Sequence, residues 1–188
     1  MSKNFVFKEL ELKGAYLIEP FRITDERGEF IKDYSKEIFN LNNIDYDLEE
    51  VFYTTSHKGV IRAIHFQVNK QQPKLVRCIK GEIFDVLVDL RPESKTFKKW
   101  LGFYLSEKNG LELLIPKGFG HGYLVLKDSI VSYKCAEKFY AEFDSGIIWN
   151  DPDLKIKWPI ERLNCPIILS EKDKNLSTFK HYFSYDKN

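Results

Sequence analysis

The sequence predicts an all-β sandwich or barrel with only short helices. Short apolar and β-branched runs recur between turn signals through the middle of the chain. Helical periodicity is sparse. One run, Glu82–Leu90 (EIFDVLVDL), alternates with period two. Its even positions Phe84, Val86, Val88 and Leu90 are all apolar. Its odd positions Ile83, Asp85, Leu87 and Asp89 mix aliphatics with carboxylates, as the lining of a barrel cavity does. In chain order, the strand Lys74–Ile79 stops at Lys80-Gly81, and Glu82–Leu90 follows. Further strands are expected at Trp100–Leu105, Leu111–Ile115, His121–Leu126 and Ile130–Cys135. Their turns are Glu107-Lys108-Asn109-Gly110, Pro116-Lys117-Gly118 and Lys127-Asp128-Ser129. One short helix is expected after Ser35 and another after Ser170, where Ser170-Glu171-Lys172-Asp173 resembles a weak capping box. The final dozen residues are polar with scattered aromatics and carry no assignment.

A length of 188 residues fits a single domain over 1–188. Hydrophobic residues at 43% and aromatics at 15% supply a sizeable core. Lys+Arg 29 against Asp+Glu 28 leaves a net charge of +1, which argues against nucleic-acid binding through a basic excess. No apolar run approaches the ~20 residues that span a bilayer, and the first residues lack the pattern of a signal peptide. A cytoplasmic location is expected. Cys78, Cys135 and Cys165 have no CxxC spacing, so buried reduced thiols are the simplest reading.

Only His57, His65, His121 and His181 are available as imidazoles. Taken alone, each is more often structural than catalytic. The glycines at 118, 120 and 122 lack the GxGxxG spacing and lead into a strand, so a tight turn carrying His121 to a cavity rim explains them better than a dinucleotide site.

Pro116-Lys117-Gly118-Phe119-Gly120-His121 resembles the second motif of the cupins, double-stranded β-helix barrels of jelly-roll type. Many cupins hold a metal with H-x-H, and here His65-Phe66-Gln67 breaks that set, so a metal-free member is favoured. A sharper resemblance runs from about residue 20 to 175. It is carried by Asp25-Glu26-Arg27-Gly28-Glu29-Phe30, the stretch Gly59 to Gln67, Lys74-Leu75-Val76, Gly81 to Arg91 and Ile115 to His121. Tyr133-Lys134, Trp149-Asn150-Asp151-Pro152, Ile156-Lys157-Trp158-Pro159 and Leu169-Ser170-Glu171-Lys172-Asp173 complete it. This ordered series is similar to the dTDP-4-dehydrorhamnose 3,5-epimerase family.

The resemblance implies epimerisation of a nucleotide-linked 4-keto-6-deoxy sugar at C3, C5 or both, without metal or organic cofactor, in making bacterial surface polysaccharide. A C4 ketone acidifies the protons on both neighbouring carbons. A base on one face, an acid on the other and positive charge near O4 then suffice. By position His65 is the base and Asp173 its orienting partner, unless Asp173 is only a helix-start residue. Lys74 stands at the sugar O4, or is a strand-edge lysine. Tyr133 is the acid, or a core aromatic. Arg62 and Arg27 bind the diphosphate, with a surface ion pair as the alternative for Arg62. His121 and Gln67 contact substrate, and Asp85 organises neighbouring donors. Two alternatives stay open beside epimerisation: a nucleotide-sugar 3,4-ketoisomerase on the same barrel, and a non-catalytic cupin binding module. A metal-dependent cupin oxygenase is disfavoured by the missing ligand.

Four departures from the family pattern matter. Glu50 and Phe52 replace the Gln and Asn of a nucleotide-holding stretch, and Lys32 stands where Glu is common. Glu50, acceptor-only when ionised, suits the donor edge of guanine better than thymine, so GDP and dTDP both remain candidates. Phe139 stands where a second tyrosine is usual, with the hydroxyl moved to Tyr140, which suggests one epimerised centre or a different C5 substituent. Ala63 replaces a glycine near the base, which suits a bulkier sugar such as a GDP-4-keto-6-deoxy-heptose. The resemblance also implies a homodimer in which an N-terminal arm, about 1–35, crosses to the partner. A helical tail is expected over about 165–188.

Overall fold

The computed structural model describes residues 2–185, apart from the side chains at positions 2, 3, 63 and 185. The Ala63 methyl therefore lies outside the described residues. In chain order the strands are β1 (Ser2–Lys3), β2 (Val6–Glu9), β3 (Tyr16–Glu19), β4 (Phe21–Asp25), β5 (Gly28–Lys32), β6 (Glu50–Ser56), β7 (Ile61–Gln67), β8 (Lys74–Asp89), β9 (Trp100–Ser106), β10 (Glu112–Ile115), β11 (Phe119–Cys135) and β12 (Asp144–Gly146). The α-helices are short: α1 (Lys36–Leu41), α2 (Glu171–Lys174) and α3 (Phe179–Tyr185). No helix among the described residues is long and apolar enough to cross a membrane.

The two longest strands organise the barrel. β8 and β11 pair antiparallel from Lys74↔Cys135 to Asp89↔Phe119. The sequence splits each into two strands, at Lys80-Gly81 and at Lys127-Asp128-Ser129. In the fold these points are bends within continuous strands. Gly81 takes φ 84°, and the β11 register shifts fall between Val125 and Val131. A Cβ on Gly81 would lie 2.2 Å from the Asp128 carbonyl oxygen, so the bend requires glycine.

The bend lets each strand serve two half-sheets. The first half of β8 pairs with β10, which continues to β3 and β2, and its second half pairs with β9. The first half of β11 pairs with β7, which carries β12 at its edge, and its second half pairs with β6. Val76, Cys78, Ile83, Leu87, Val125 and Val131 fill the space between them. This is the jelly-roll barrel expected from the sequence. The N-terminal stretch divides. β2 and β3 join the main sheet, while β1, β4 and β5 form a separate three-stranded sheet among the described residues.

The oily face of Glu82–Leu90 does not meet solvent. Phe84, Val86, Val88 and Leu90 pack outward with Ile61, Ile64 and Leu124 beneath Trp158 and Phe179 of the C-terminal chain. Each such side chain, fully buried, is worth about 1.5–3 kcal/mol of transfer free energy. Buried Asp151 ties this wrap down, accepting backbone N–H bonds from Leu154 at 2.9 Å and Phe179 at 2.7 Å. The Trp158 indole donates to the Trp149 carbonyl at 2.7 Å. The unassigned C-terminal dozen thus contains α3, and residues 186–188 lie outside the described residues. Cys78 and Cys135 are buried, Cys165 is half-buried, and all are free thiols.

Asp89, at the end of β8, clasps the connection from β8 to β9. Its carboxylate accepts from Arg91 Nε and Nη2, both at 2.8 Å, and from the Ser94 and Thr96 hydroxyls, both at 2.6 Å. The Arg91 guanidinium lies over the Phe119 ring at 4.6 Å, and Arg91 packs where a side chain on Gly118 (φ 83°) would otherwise stand. Burial alone would raise the Asp89 pKa, but these donors outweigh it and bring it down to about 2. A depressed pKa contributes stability above the unfolded value of 3.8, and that stability is lost as pH falls through about 2. Asp89→Asn is therefore expected to cost about 1–3 kcal/mol near pH 7 in urea unfolding. The gap to the parent should close between pH 4 and pH 2; a gap independent of pH would contradict the ionised clasp.

Candidate active site

A cavity of about 310 Å³ opens on the barrel, lined among others by Phe52, Arg62, His65, Lys74, His121 and Tyr133. Strand register assembles it. Tyr133 of β11 pairs with Phe52 of β6, and His121 pairs with His65 of β7. Strict alternation would put Arg62 and His65 on opposite faces of β7. Two residues of β7 stand between the pairs Arg62↔Tyr123 and His65↔His121, against one residue of β11. This bulge turns Arg62 and His65 to the same side, while Ile61 and Ile64 stay in the outer core.

His65 Nε2 lies 2.7 Å from Asp173 Oδ1. The contact is short but not aligned as a hydrogen bond, so buried Oδ1 lacks an aligned donor. Asp173 sits in α2, where Ser170 caps the helix by accepting from the Asp173 N–H at 3.0 Å. The Ser170 hydroxyl also donates to Asp173 Oδ2 at 2.8 Å. Burial pushes the Asp173 carboxyl up, yet His65 and Ser170 together hold it below the ordinary carboxylate value. Asp173 therefore stays ionised beside the His65 ring. The cap and the dyad contact, alternatives in the sequence, coexist in one residue.

Lys74, at the start of β8, is half-buried as a residue, and protein atoms enclose its head. That desolvation lowers its pKa, against the pull of Asp144 and Asp85. It makes no hydrogen bond or ion pair among the described residues, so its amine is available to a ligand oxygen. Tyr133 is buried and stacked on Phe52, with ring centroids 4.8 Å apart and planes 13° apart. Burial, with Tyr123 and Asp85 nearby, pushes its phenol well above the ordinary value, so it remains protonated. Arg62 gives Nε and Nη2 to the Ser56 hydroxyl at 3.2 and 3.1 Å and makes no ion pair among the described residues. That leaves guanidinium donors for an anion.

Buried His121 and Asp85 form a pair beneath the cavity, with His121 Nε2 3.0 Å from both carboxylate oxygens. Burial raises the Asp85 pKa, against the lowering effect of His121. Asp85 thus acts on the cavity through His121.

Other sequence candidates stand elsewhere. The Gln67 amide donates to the Lys70 carbonyl at 2.6 Å and its oxygen accepts from the Tyr140 N–H at 2.7 Å. It ties down the 138–140 loop and does not line this cavity. Glu50 Oε1 accepts from Gln72 at 2.9 Å and from the Phe139 N–H at 3.1 Å, so that oxygen is already engaged at the loop. Phe139 lines the cavity, whereas Tyr140 packs on Phe143. The Tyr140 phenol is thus not among the groups lining this cavity. Arg27 lies at the β4–β5 hairpin tip, 85% exposed and paired with Asp25 at 2.6 Å, away from its own chain's cavity.

Some lining residues escaped the sequence reading: Thr54, Gln72, Tyr123, Asp144 and Lys172. Lys172 was visible in the same motif as Asp173, and its amine pairs with Asp144. Thr54 lies two residues from Phe52 on one strand face. Asp144 had no sequence signal, because β12 is a three-residue edge strand.

The chain resembles known proteins over nearly its whole length. The dTDP-4-dehydrorhamnose 3,5-epimerase family model matches residues 9–181. A dTDP-4-dehydrorhamnose 3,5-epimerase of Methanothermobacter thermautotrophicus is 48% identical over 173 residues, covering 92% of this chain and 93% of that protein. That of Escherichia coli K12 is 41% identical over 172 residues, covering 89% and 91%. The crystal structure of the Legionella pneumophila dTDP-6-deoxy-D-glucose-3,5-epimerase with dTDP-4-keto-L-rhamnose superposes with TM-score 0.88 at 35% identity, covering 93% of each chain. Barrel, cavity and matched length lead to one conclusion: the chain belongs to the dTDP-4-dehydrorhamnose 3,5-epimerase family and is an isomerase-class carbohydrate epimerase of the cupin fold.

Proposed function

We propose that the chain epimerises a dTDP-linked 4-keto-6-deoxy sugar at C3 and C5, with His65 as base and Tyr133 as acid. The observation that carries this is the convergence of an imidazole backed by a carboxylate, a protonated phenol and an unpaired amine on one cavity. His65 takes the proton from the carbon next to the ketone. The electron pair moves to O4, where Lys74 and His121 donate to the enolate oxygen. Tyr133 delivers a proton to the opposite face, and the centre inverts. The charge that develops is met by these donors, and the step requires neither metal nor organic cofactor.

For the nucleotide, dTDP has better support than GDP. The relatives are named for dTDP substrates, and the Glu50 oxygen that faces Gln72 and the Phe139 N–H is not open to a guanine edge. Phe139, 52% exposed at the cavity edge, offers a ring face for base stacking. Arg62 stands ready for the diphosphate. Arg27 reaches a diphosphate only in a homodimer, where the β4–β5 hairpin of the N-terminal arm crosses to the partner's cavity; exposed Ile23 and Phe30 on that hairpin fit such a contact.

In D2O, dTDP-4-keto-6-deoxyglucose should take up deuterium at both C3 and C5, followed by NMR. His65→Ala should slow exchange by about 10²-fold or more, and Asp173→Asn should slow it less. An unaltered His65→Ala rate would reject the base assignment. Deuterium at one carbon alone would show that loss of the second phenol at Phe139 restricts the reaction.

Nucleoside diphosphate binding is checked by thermal shift, since a ligand held only by the folded state raises Tm. The expected order places dTDP above GDP, UDP and CDP. A larger shift with GDP would restore the guanine reading.

A further inference from the structure

Tyr123 has no part in the chemistry above, yet it is placed to serve the acid. It is fully buried, lines the cavity and carries a hydroxyl, where burial alone would be met more cheaply by phenylalanine. Its hydroxyl lies 2.9 Å from Thr54 Oγ1, a contact in which either oxygen can donate, and it also interacts with the Tyr133 phenol. Thr54 and Phe52 lie on the same face of β6, and Phe52 covers one face of the Tyr133 ring. His121 holds the group from another side, its ring centroid 6.2 Å from that of Tyr123 and 5.9 Å from that of Tyr133. The three aromatic groups thus stand together at one end of the cavity.

We propose that Tyr123 is a positioning residue for the acid: with Thr54 donating to it, its own O–H turns to the Tyr133 oxygen as that oxygen gives up its proton. The inference rests on Tyr133 being the acid. In the step it serves, the Tyr133 O–H bond breaks and a C–H bond forms at the enolate carbon. The O–H electron pair stays on Tyr133 as phenolate. His65 releases the abstracted proton to water, and water reprotonates Tyr133, so the cycle closes without net change. A buried phenolate is costly unless it accepts a hydrogen bond. Thr54 makes that bond available by taking the acceptor side of Tyr123. The charged and titratable groups facing Tyr133 are Asp85, His121 and Arg62, alongside Tyr123 itself.

Deprotonation by His65 and delivery by Tyr133 can be read separately. A proton that His65 exchanges with D2O and returns to the same face gives deuterium without inversion. Delivery by Tyr133 gives inversion. In Tyr123→Phe, deuterium uptake should persist near the parent rate, while inversion falls about tenfold or more. Thr54→Val should reproduce this, and Thr54→Ser should restore inversion. Circular dichroism melts of each variant show whether it is folded. A loss of both rates in equal measure, in folded protein, would mean a structural role and overturn the inference, as would an unchanged ratio. Tyr133→Phe is the companion variant. If it keeps inversion, the acid reading itself fails; if it loses inversion while Tyr123→Phe keeps it, only the present inference fails.

Discussion

The pairing of β8 with β11 is the constraint on which the rest depends. These two strands run side by side through both half-sheets, and each bends once, at Gly81 and between Val125 and Val131. Between them they carry Lys74, Asp85, His121, Tyr123 and Tyr133. Their ladder therefore sets the distances within the site as well as the barrel. Backbone hydrogen bonds within a barrel have few alternatives, since every buried N–H and C=O must find a partner. A shift of register by one residue would turn each of these side chains to the wrong face.

The rest of the site is added by segments that pack onto this pair. β7 brings His65 and Arg62 together only because it bulges against β11. The C-terminal chain wraps the outer face of β8, is pinned by Asp151, and through α2 brings Asp173 to His65. The imidazole proposed as base thus comes from a strand and its carboxylate partner from the tail, joined only in the folded state. Polarity follows the same division. Groups that must stay neutral, such as Tyr133, are buried, and groups that must stay charged, such as Asp173, keep donors that offset burial.

Much of the fold was legible in particular residues. The alternation over Glu82–Leu90 and the turn at Pro116-Lys117-Gly118 marked strands that the structure contains. Ser170 marked the start of α2. The long strands were not legible as continuous units, because a bend at Gly81 and a turn at Gly81 have the same local chemistry. The outward oily face of β8 gave no sign of what covers it, since its partner Trp158 comes from a distant part of the chain. The site was legible in part. His65, Lys74, Tyr133, Asp173, Arg62 and His121 were singled out, and all face or support one cavity. Gln67 and Glu50 carried the right chemistry for ligand contact but direct it to the loop at 138–140.

The sequence by itself determined the fold class, the family and the residue types needed to enolise a ketone. Those follow from period-two patterning, turn residues and an ordered series of motifs, all local along the chain. The tertiary structure decided which polar groups reach the cavity, that Phe139 and not Tyr140 faces it, and that Tyr123 and Thr54 stand beside Tyr133. The physical reason is that such contacts depend on strand register, on a bulge and on the packing of distant segments. A side chain's direction alternates with every residue, so one inserted residue in β7 settles what no count along the sequence can.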